Sequence, residues 1–205
     1  MRTRELTVAG AFAVLPEVHE DVRGSFAEWF RADRFEDAAG HGFALAQANC
    51  SVSARGTLRG VHFSQVPPGQ GKYVTCLHGA VHDVVVDLRP GSPTYGRGDA
   101  VRLDAASRTA VHVPVGVGHG FLALEDASVV AYLCDAPYTP EREHEVDAFD
   151  TELAIDWPLL RDGEGLRLPP LRSDKDAAAP SLEQVRRAGL LSDYEACLRR
   201  DEGRR

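Results

Sequence analysis

Between about Gln47 and Tyr138 the chain is cut into short β-branched runs by Gly and Pro, and this punctuation restricts the fold more than any other feature. Val81-His82-Asp83-Val84-Val85-Val86-Asp87-Leu88 and Ala110-Val111-His112-Val113 have the length and composition of strands. Pro67-Pro68-Gly69, Pro90-Gly91-Ser92-Pro93 and Pro114-Val115-Gly116 mark turns between such runs. Closely spaced short strands with tight turns predict a mainly β protein, an antiparallel sandwich or barrel around one core. A chain of 205 residues, 43% hydrophobic, is within the range of one such domain spanning 1–205, and no repeat, low-complexity tract or polar linker divides it.

Two helical patterns flank the strands. Ala32 to Ala39, closed by Gly40, predicts a short N-terminal helix with Asp33 able to cap it and Phe35 pointing inward. Near the C-terminus, Leu182, Val185, Leu190, Tyr194 and Leu198 predict an amphipathic helix over about 181–200, a scaffold or interface element. Ser181-x-x-Gln184 fits a capping box at its start.

The formal net charge of −8 argues against nucleic-acid and anionic-membrane partners, which are held by basic surfaces. An anionic small molecule would need a local cluster of Arg and Lys. Met1-Arg2-Thr3-Arg4-Glu5 opens no apolar stretch of signal-peptide length, and no later segment approaches a membrane span, so a cytoplasmic protein is expected. Cys50, Cys76, Cys134 and Cys197 are far apart with no C-x-x-C pair, which predicts buried free thiols rather than a zinc knuckle or a disulfide framework.

Several residues could carry chemistry. In Leu58-Arg59-Gly60-Val61-His62-Phe63, Arg59 and His62 would face opposite sides of an unbroken strand, so joint service in one site requires a bulge, and Gly60 is where the backbone could supply it. Lys72 enters a strand after a Pro/Gly turn; facing inward, it would need an anion or an oxyanion. Asp83 and Asp87 share a strand face, most simply a solvated one; were that face interior, both would need cations, with Lys72 a candidate. Tyr132 and Tyr138 are ordinary core aromatics unless a phenol serves as a general acid or a ring stacks on a base.

Pro114-x-Gly116-x-x-His119 resembles the second motif of cupins. A metal-binding cupin would also carry H-x-H and a nearby Glu on an earlier strand. Here that stretch reads His62-Phe63-Ser64, with no Glu before Gly79. Two histidines without a third imidazole or a carboxylate make a poor metal site, which predicts a cupin-like, metal-free barrel needing no cofactor.

From about Val14 to Tyr194 the ordered motifs resemble the dTDP-4-dehydrorhamnose 3,5-epimerase family. They are Asp21-x-Arg23-Gly24-x-Phe26-x-Glu28, Gln47-x-Asn49, Leu58-Arg59-Gly60-Val61-His62, Gln70-x-Lys72, Asp83-x-x-x-Asp87-x-Arg89, Gly91-Ser92-Pro93-Thr94-Tyr95-Gly96, Pro114-x-Gly116-x-x-His119-Gly120-Phe121, Tyr132, Tyr138 and Ser173-Asp174-Lys175-Asp176. The resemblance implies a jelly-roll homodimer with shared sites acting on dTDP-4-keto-6-deoxyglucose at C3 and C5. By that analogy Arg23, Phe26 and Glu28 reach the partner's nucleotide, Gln47 and Asn49 bind substrate, Arg59 and His119 hold the diphosphate, and Tyr138 stacks on thymine. His62 aligns with the base, Asp176 with the carboxylate that orients it, Lys72 with the enolate-stabilising cation and Tyr132 with the acid on the opposite ring face.

The chemistry requires those residue types. A C–H beside the C4 ketone is a weak acid, so its removal must be coupled to stabilisation of charge on O4, which Lys72 can supply in a water-poor site. An imidazole is the side-chain type suited to act as a base near neutral pH, and inversion needs a proton from the other face. Ser64 after the His62-Phe63 pair, Tyr73-Val74 after Lys72, and the tail Arg187-Ala188-Gly189-Leu190-Leu191-Ser192-Asp193-Tyr194 are closer to relatives from antibiotic deoxysugar pathways, some of which invert one carbon only. A 3- or 5-mono-epimerase, a metal-dependent cupin oxygenase and a non-catalytic nucleotide-sugar binding barrel are the competing readings.

Overall fold

The computed structural model describes residues 1–165 and 167–203. In chain order its strands are β1 (Arg2–Glu5), β2 (Phe12–Leu15), β3 (Val18–Asp21), β4 (Gly24–Ala27), β5 (Gln47–Ser53), β6 (Leu58–Ser64), β7 (Lys72–His78), β8 (Ala80–Val86), β9 (Gly98–Asp104), β10 (Ala110–Val113), β11 (Gly118–Ala123), β12 (Ser128–Cys134) and β13 (Glu143–Glu145). The helices are α1 (Ala32–Ala39), α2 (Asp174–Ala177), α3 (Leu182–Arg187) and α4 (Tyr194–Glu202).

Two antiparallel sheets, ordered β1-β2-β10-β7-β12-β5 and β13-β6-β11-β8-β9, are built by a chain that crosses repeatedly from one to the other, and β3 and β4 form a separate hairpin. This is the mainly β, cupin-like jelly roll expected, with one correction. Among the described residues the sheets do not close into one ring of strands, since β1 and β5 edge the first and β13 and β9 the second.

Val74, Val111, Val113 and Val130 of the first sheet meet Val81, Val85, Val101, Leu103 and Phe121 of the second in the central core. The outer faces are covered too. Leu58, Val61, Phe63, Val84 and Val86 pack under Val146, Leu153, Leu182 and Val185 of the C-terminal segment. Phe12 and Tyr73 pack under Phe35 of α1, beside Phe43, Trp29 and Phe30. Each aliphatic side chain so buried contributes roughly 1.5–3 kcal/mol, and β8 accordingly carries valine on both faces, Val81 and Val85 inward and Val84 and Val86 outward.

This double covering overturns the solvated-face reading of Asp83 and Asp87, which are 1% and 0% exposed. Asp87 lies just beyond β8 and binds Arg89 Nε at 2.9 Å, with Ser92 and Thr94 hydroxyls on its other oxygen. Asp83 faces the core with Val85 and takes His119, not Lys72, as its partner.

α1 has the expected bounds, Gly40 closes it in the left-handed region (φ 75°), and Phe35 is buried. Its N-cap, however, is Arg31, whose guanidinium the Asp33 carboxylate binds at 2.6 Å instead of capping the helix. The predicted C-terminal helix is two helices, α3 and α4, because Gly189 (φ 67°) turns the chain between them. Ser181 and Gln184 form the expected capping box. Cys76, Cys134 and Cys197 are buried free thiols as expected, but Cys50 is exposed on the edge strand β5. Among the described residues no helix is long and apolar enough to cross a membrane.

Candidate active site

The bulge that the sequence requires occurs in β6. His62 pairs with His119 and Arg59 with Phe121, so Gly60 and Val61 together oppose Gly120. The extra residue turns Arg59 and His62 to one side. Gly60 has φ 108°, and a Cβ there would stand 2.6 Å from His119 O and 2.7 Å from Gly120 Cα, so no side chain fits.

The pair so aligned faces a cavity of about 440 Å³ lined by Gln47, Asn49, Arg59, His62, Gln70, Lys72, Tyr132, Tyr138, Glu143, His144, Ser173, Lys175 and Asp176. A further lobe of about 160 Å³ shares Arg59, His62, Lys72 and Tyr132 with it and adds Ser51, His119 and Phe121. The walls come from opposite sheets. Arg59, His62 and His119 stand on β6 and β11, whereas Gln47, Asn49, Lys72 and Tyr132 stand on β5, β7 and β12.

His62 Nε2 lies 2.6 Å from Asp176 Oδ1. Asp176 sits in α2, whose N-cap Ser173 both donates its hydroxyl to Asp176 Oδ2 (2.9 Å) and accepts the Asp176 N–H (3.1 Å). Burial alone would raise the Asp176 pKa, but the His62 contact, the Ser173 hydroxyl and the Gly60 N–H outweigh it and hold the carboxyl below its ordinary value. An ionised carboxylate can only accept, so Nε2 is the donor to Asp176 and Nδ1 is the ring nitrogen left for another partner. The imidazole keeps 37% of its side-chain surface exposed, while Asp176 is nearly covered.

Lys72 opens β7 opposite Cys134 of β12, half-buried, with no ion-pair partner among the described residues. Tyr132 stands two residues before Cys134, and burial first of all raises its pKa, so the phenol keeps its proton through neutral pH. Beneath them His119 Nε2 donates to Asp83 Oδ2 at 2.8 Å. Along β5, Gln47 Nε2 donates to Asn49 Oδ1 (3.0 Å) and Gln47 Oε1 accepts the N–H of Tyr138 (2.8 Å), which ties the exposed Tyr138 ring to the rim.

Of the residues singled out in the sequence, His62, Asp176, Lys72, Tyr132, Gln47, Asn49, Arg59, His119 and Tyr138 line this one space. Arg23, Phe26 and Glu28 do not. They belong to the β3–β4 hairpin and its end, where the Arg23 side chain is 86% exposed and paired with Asp21, Phe26 is 70% exposed, and Glu28 lies 3.6 Å from Arg31. Glu143 and Lys175 also line the cavity; Glu143 belongs to no sequence motif, and Lys175 stands in Ser173-Asp174-Lys175-Asp176 without a role of its own. Burial raises the Glu143 pKa against the pull of Lys72, His62 and Lys175, and Lys175 pairs with Glu145 at 2.9 Å. Lys175 had a signal in its place within Ser173-x-x-Asp176; Glu143 stands on a three-residue strand with no readable period. Among the described residues no group of His, Cys, Asp and Glu is arranged to hold a metal ion.

A sequence model of the dTDP-4-dehydrorhamnose 3,5-epimerase family matches residues 5–184. The chain is 54% identical over 195 residues to the dTDP-4-dehydrorhamnose 3,5-epimerase of Mycobacterium tuberculosis, covering 95% of this chain and 94% of that one. Among solved structures, the Mycobacterium tuberculosis rmlC epimerase superposes with a TM-score of 0.95 at 52% identity, over 100% of both chains. ChmJ, a 3′-monoepimerase from Streptomyces bikiniensis in complex with dTDP-quinovose, superposes with a TM-score of 0.89 at 46% identity, over 98% of both chains.

Proposed function

This chain belongs to the dTDP-4-dehydrorhamnose 3,5-epimerase family, and from that premise we propose that it epimerises dTDP-4-keto-6-deoxyglucose at C3 and C5, by removing and returning protons beside the C4 ketone. One observation carries the reading above the others. His62 and Tyr132 line a single cavity from opposite sheets, so a base and an acid can address opposite faces of a sugar ring between them.

His62 Nδ1 takes the proton from the carbon beside the ketone, and the imidazolium that forms is held by Asp176. The electron pair moves onto O4, where the Lys72 ammonium meets it. Tyr132 then gives its phenolic proton to the carbon from the other side, and the C–H bond is restored with inverted configuration. A buried phenol releases its proton only to a strong base, which the enolate carbon is and water is not. General acid and base together supply roughly 10² to 10⁴ in rate for each transfer.

Arg59 and His119 hold the diphosphate, the guanidinium as a fork and the imidazole through a second N–H at Nδ1, since Nε2–H is taken by Asp83, and Tyr138 stacks on the thymine. Gln47 and Asn49 supply hydrogen bonds along the rim. The site is completed in a homodimer by the partner subunit's Arg23, Phe26 and Glu28. In support, those residues stand on a hairpin outside both sheets, and an exposed phenylalanine and an arginine without a buried anion suit a neighbour's nucleotide. The proposed compartment is the cytoplasm, since a dTDP-linked sugar is too polar to cross a membrane unaided.

The similarity to a 3′-monoepimerase favours a second reading, inversion at C3 alone. Proton NMR of dTDP-4-keto-6-deoxyglucose incubated with the protein in deuterated water separates the two. Deuterium and inversion at C3 and C5 mark the double epimerase, and inversion at C3 alone the mono-epimerase. A substrate recovered without deuterium at either carbon would overturn both.

A further inference from the structure

We propose that Arg200 of α4 is a positioning residue for this reaction: through Asp135 it locks together the ends of β7 and β12 that carry Lys72 and Tyr132. The inference rests on the roles given to Lys72 and Tyr132 above. Neither Arg200 nor Asp135 lines the cavity, so neither touches substrate.

Asp135 follows β12 directly, opposite Gly71, the residue before Lys72. Its backbone N–H donates to Gly71 O at 3.1 Å, and its Oδ1 accepts the Gly71 N–H at 2.7 Å. Gly71 therefore has both backbone groups held by one residue. A Cβ on Gly71 would lie 2.8 Å from Asp135 Oδ2, so the carboxylate rests against the backbone where a side chain would begin.

Arg200 secures that carboxylate as a fork. Nη2 donates to Oδ1 at 2.7 Å and Nη1 to Oδ2, with 10% and 3% of the two side chains exposed. The same guanidinium reaches the turn that leads into Lys72, with Nη2 to Gly69 O at 3.0 Å and Nε to Pro68 O at 3.2 Å. A planar group with donors in fixed directions thus joins the Pro/Gly turn before Lys72 and the residue after β12 into one body. An oxyanion donor misplaced by an ångström loses much of its effect, so the clamp acts on the rate of the chemical step. Arg59 and His119, the diphosphate anchors, stand on the other sheet and are outside it.

The test uses the full chain with Arg200→Met, which removes the fork and keeps an apolar stem, and Arg200→Lys, which keeps the charge. Turnover is normalised to dTDP-binding sites counted by calorimetry, so loss of folded protein does not count as loss of rate. Arg200→Met is expected to lower kcat per site by about tenfold or more with the Kd for dTDP held within about threefold, and Arg200→Lys to restore part of the rate. Amide hydrogen exchange over 69–73 should rise in the methionine variant. If that variant does not fold, Arg200→Lys and Asp135→Asn give the same comparison. Unchanged kcat per site, a Kd that weakens in proportion to kcat, or unchanged protection at Gly71 would each overturn the clamp. A wild-type chain that binds dTDP and turns over no 4-ketosugar overturns the functional reading instead, and the exchange result still decides whether Arg200 holds Lys72.

Discussion

His119 donates Nε2–H to Asp83 Oδ2 at 2.8 Å, while the other carboxylate oxygen of Asp83 is buried with no hydrogen-bond partner among the described residues. A half-satisfied carboxylate in a core is destabilising, so its place there follows from what it does to the imidazole. His119 is also the cross-strand partner of His62. Two imidazoles paired across β6 and β11 are thus each fixed by a separate carboxylate, His62 by Asp176 and His119 by Asp83.

Asp83→Asn should therefore act on nucleotide binding. With the charge gone, the His119 ring loses the carboxylate that fixes its angle and supports N–H donors on both ring nitrogens, and a charge-assisted hydrogen bond of about 1.5–3 kcal/mol is weakened. Calorimetry should show dTDP affinity falling by about tenfold, with kcat at saturating substrate less affected. Unaltered dTDP affinity would mean that Asp83 only fills the core.

The roles of His62 and Tyr132 separate in deuterated water. His62→Ala removes the base, and both solvent exchange into the substrate and product formation should be lost. Tyr132→Phe keeps the base and Lys72, so exchange should continue while inversion drops by about 10² or more, with label returned to the original face. Exchange at the wild-type rate in His62→Ala moves the base elsewhere, and normal inversion in Tyr132→Phe moves the acid.

Glu143 and Asp176 should affect stability with opposite pH dependence. Burial raises the Glu143 pKa, so the folded chain binds that proton more tightly than the unfolded one, and stability falls as pH rises from the unfolded carboxyl value through the folded one. Glu143→Gln should thus melt above the parent at pH 7, with the gap closing towards about pH 4. The Asp176 pKa is depressed, so its contribution is present above the unfolded value and is lost as pH falls through the folded one. Asp176→Asn should melt below the parent at pH 7, and that gap too should close in acid. Melting curves of both variants from about pH 2 to 8 check the signs, since the Asp176 gap closes only below the ordinary carboxyl range; gaps that do not vary with pH would remove the titration argument.

The strands were legible because β-branched runs and Pro/Gly turns are local signals, and the joint orientation of Arg59 and His62 followed from one glycine, Gly60. The surroundings of Asp83 and Asp87 were not. Whether a sheet face is wet depends on what covers the other, and here Val146, Leu153, Leu182 and Val185, far along the chain, take the outer face. The break between α3 and α4 was missed because Leu190 and Tyr194 keep a helical spacing across a turn made by Gly189 alone. Glu143 was missed because three residues of β13 carry no period, so its place in the cavity depends on pairing with Ser64 of β6.

The shared-site arrangement is tested by mixing two defective chains. Arg23→Ala damages the nucleotide grip that a chain lends to its neighbour, and His62→Ala damages the base in its own cavity. In a mixed dimer one cavity combines an intact His62 with an intact Arg23 from the other subunit, and the second cavity combines both defects. Random exchange of equal amounts makes half of the dimers mixed, so activity should return to roughly a quarter of the wild-type level per total site, from two nearly inactive parents. Exchange is verified by mass spectrometry on differently tagged chains. If exchange is complete and no activity returns, the hairpin that carries Arg23, Phe26 and Glu28 serves its own chain, and the 86% exposure of the Arg23 side chain has another cause.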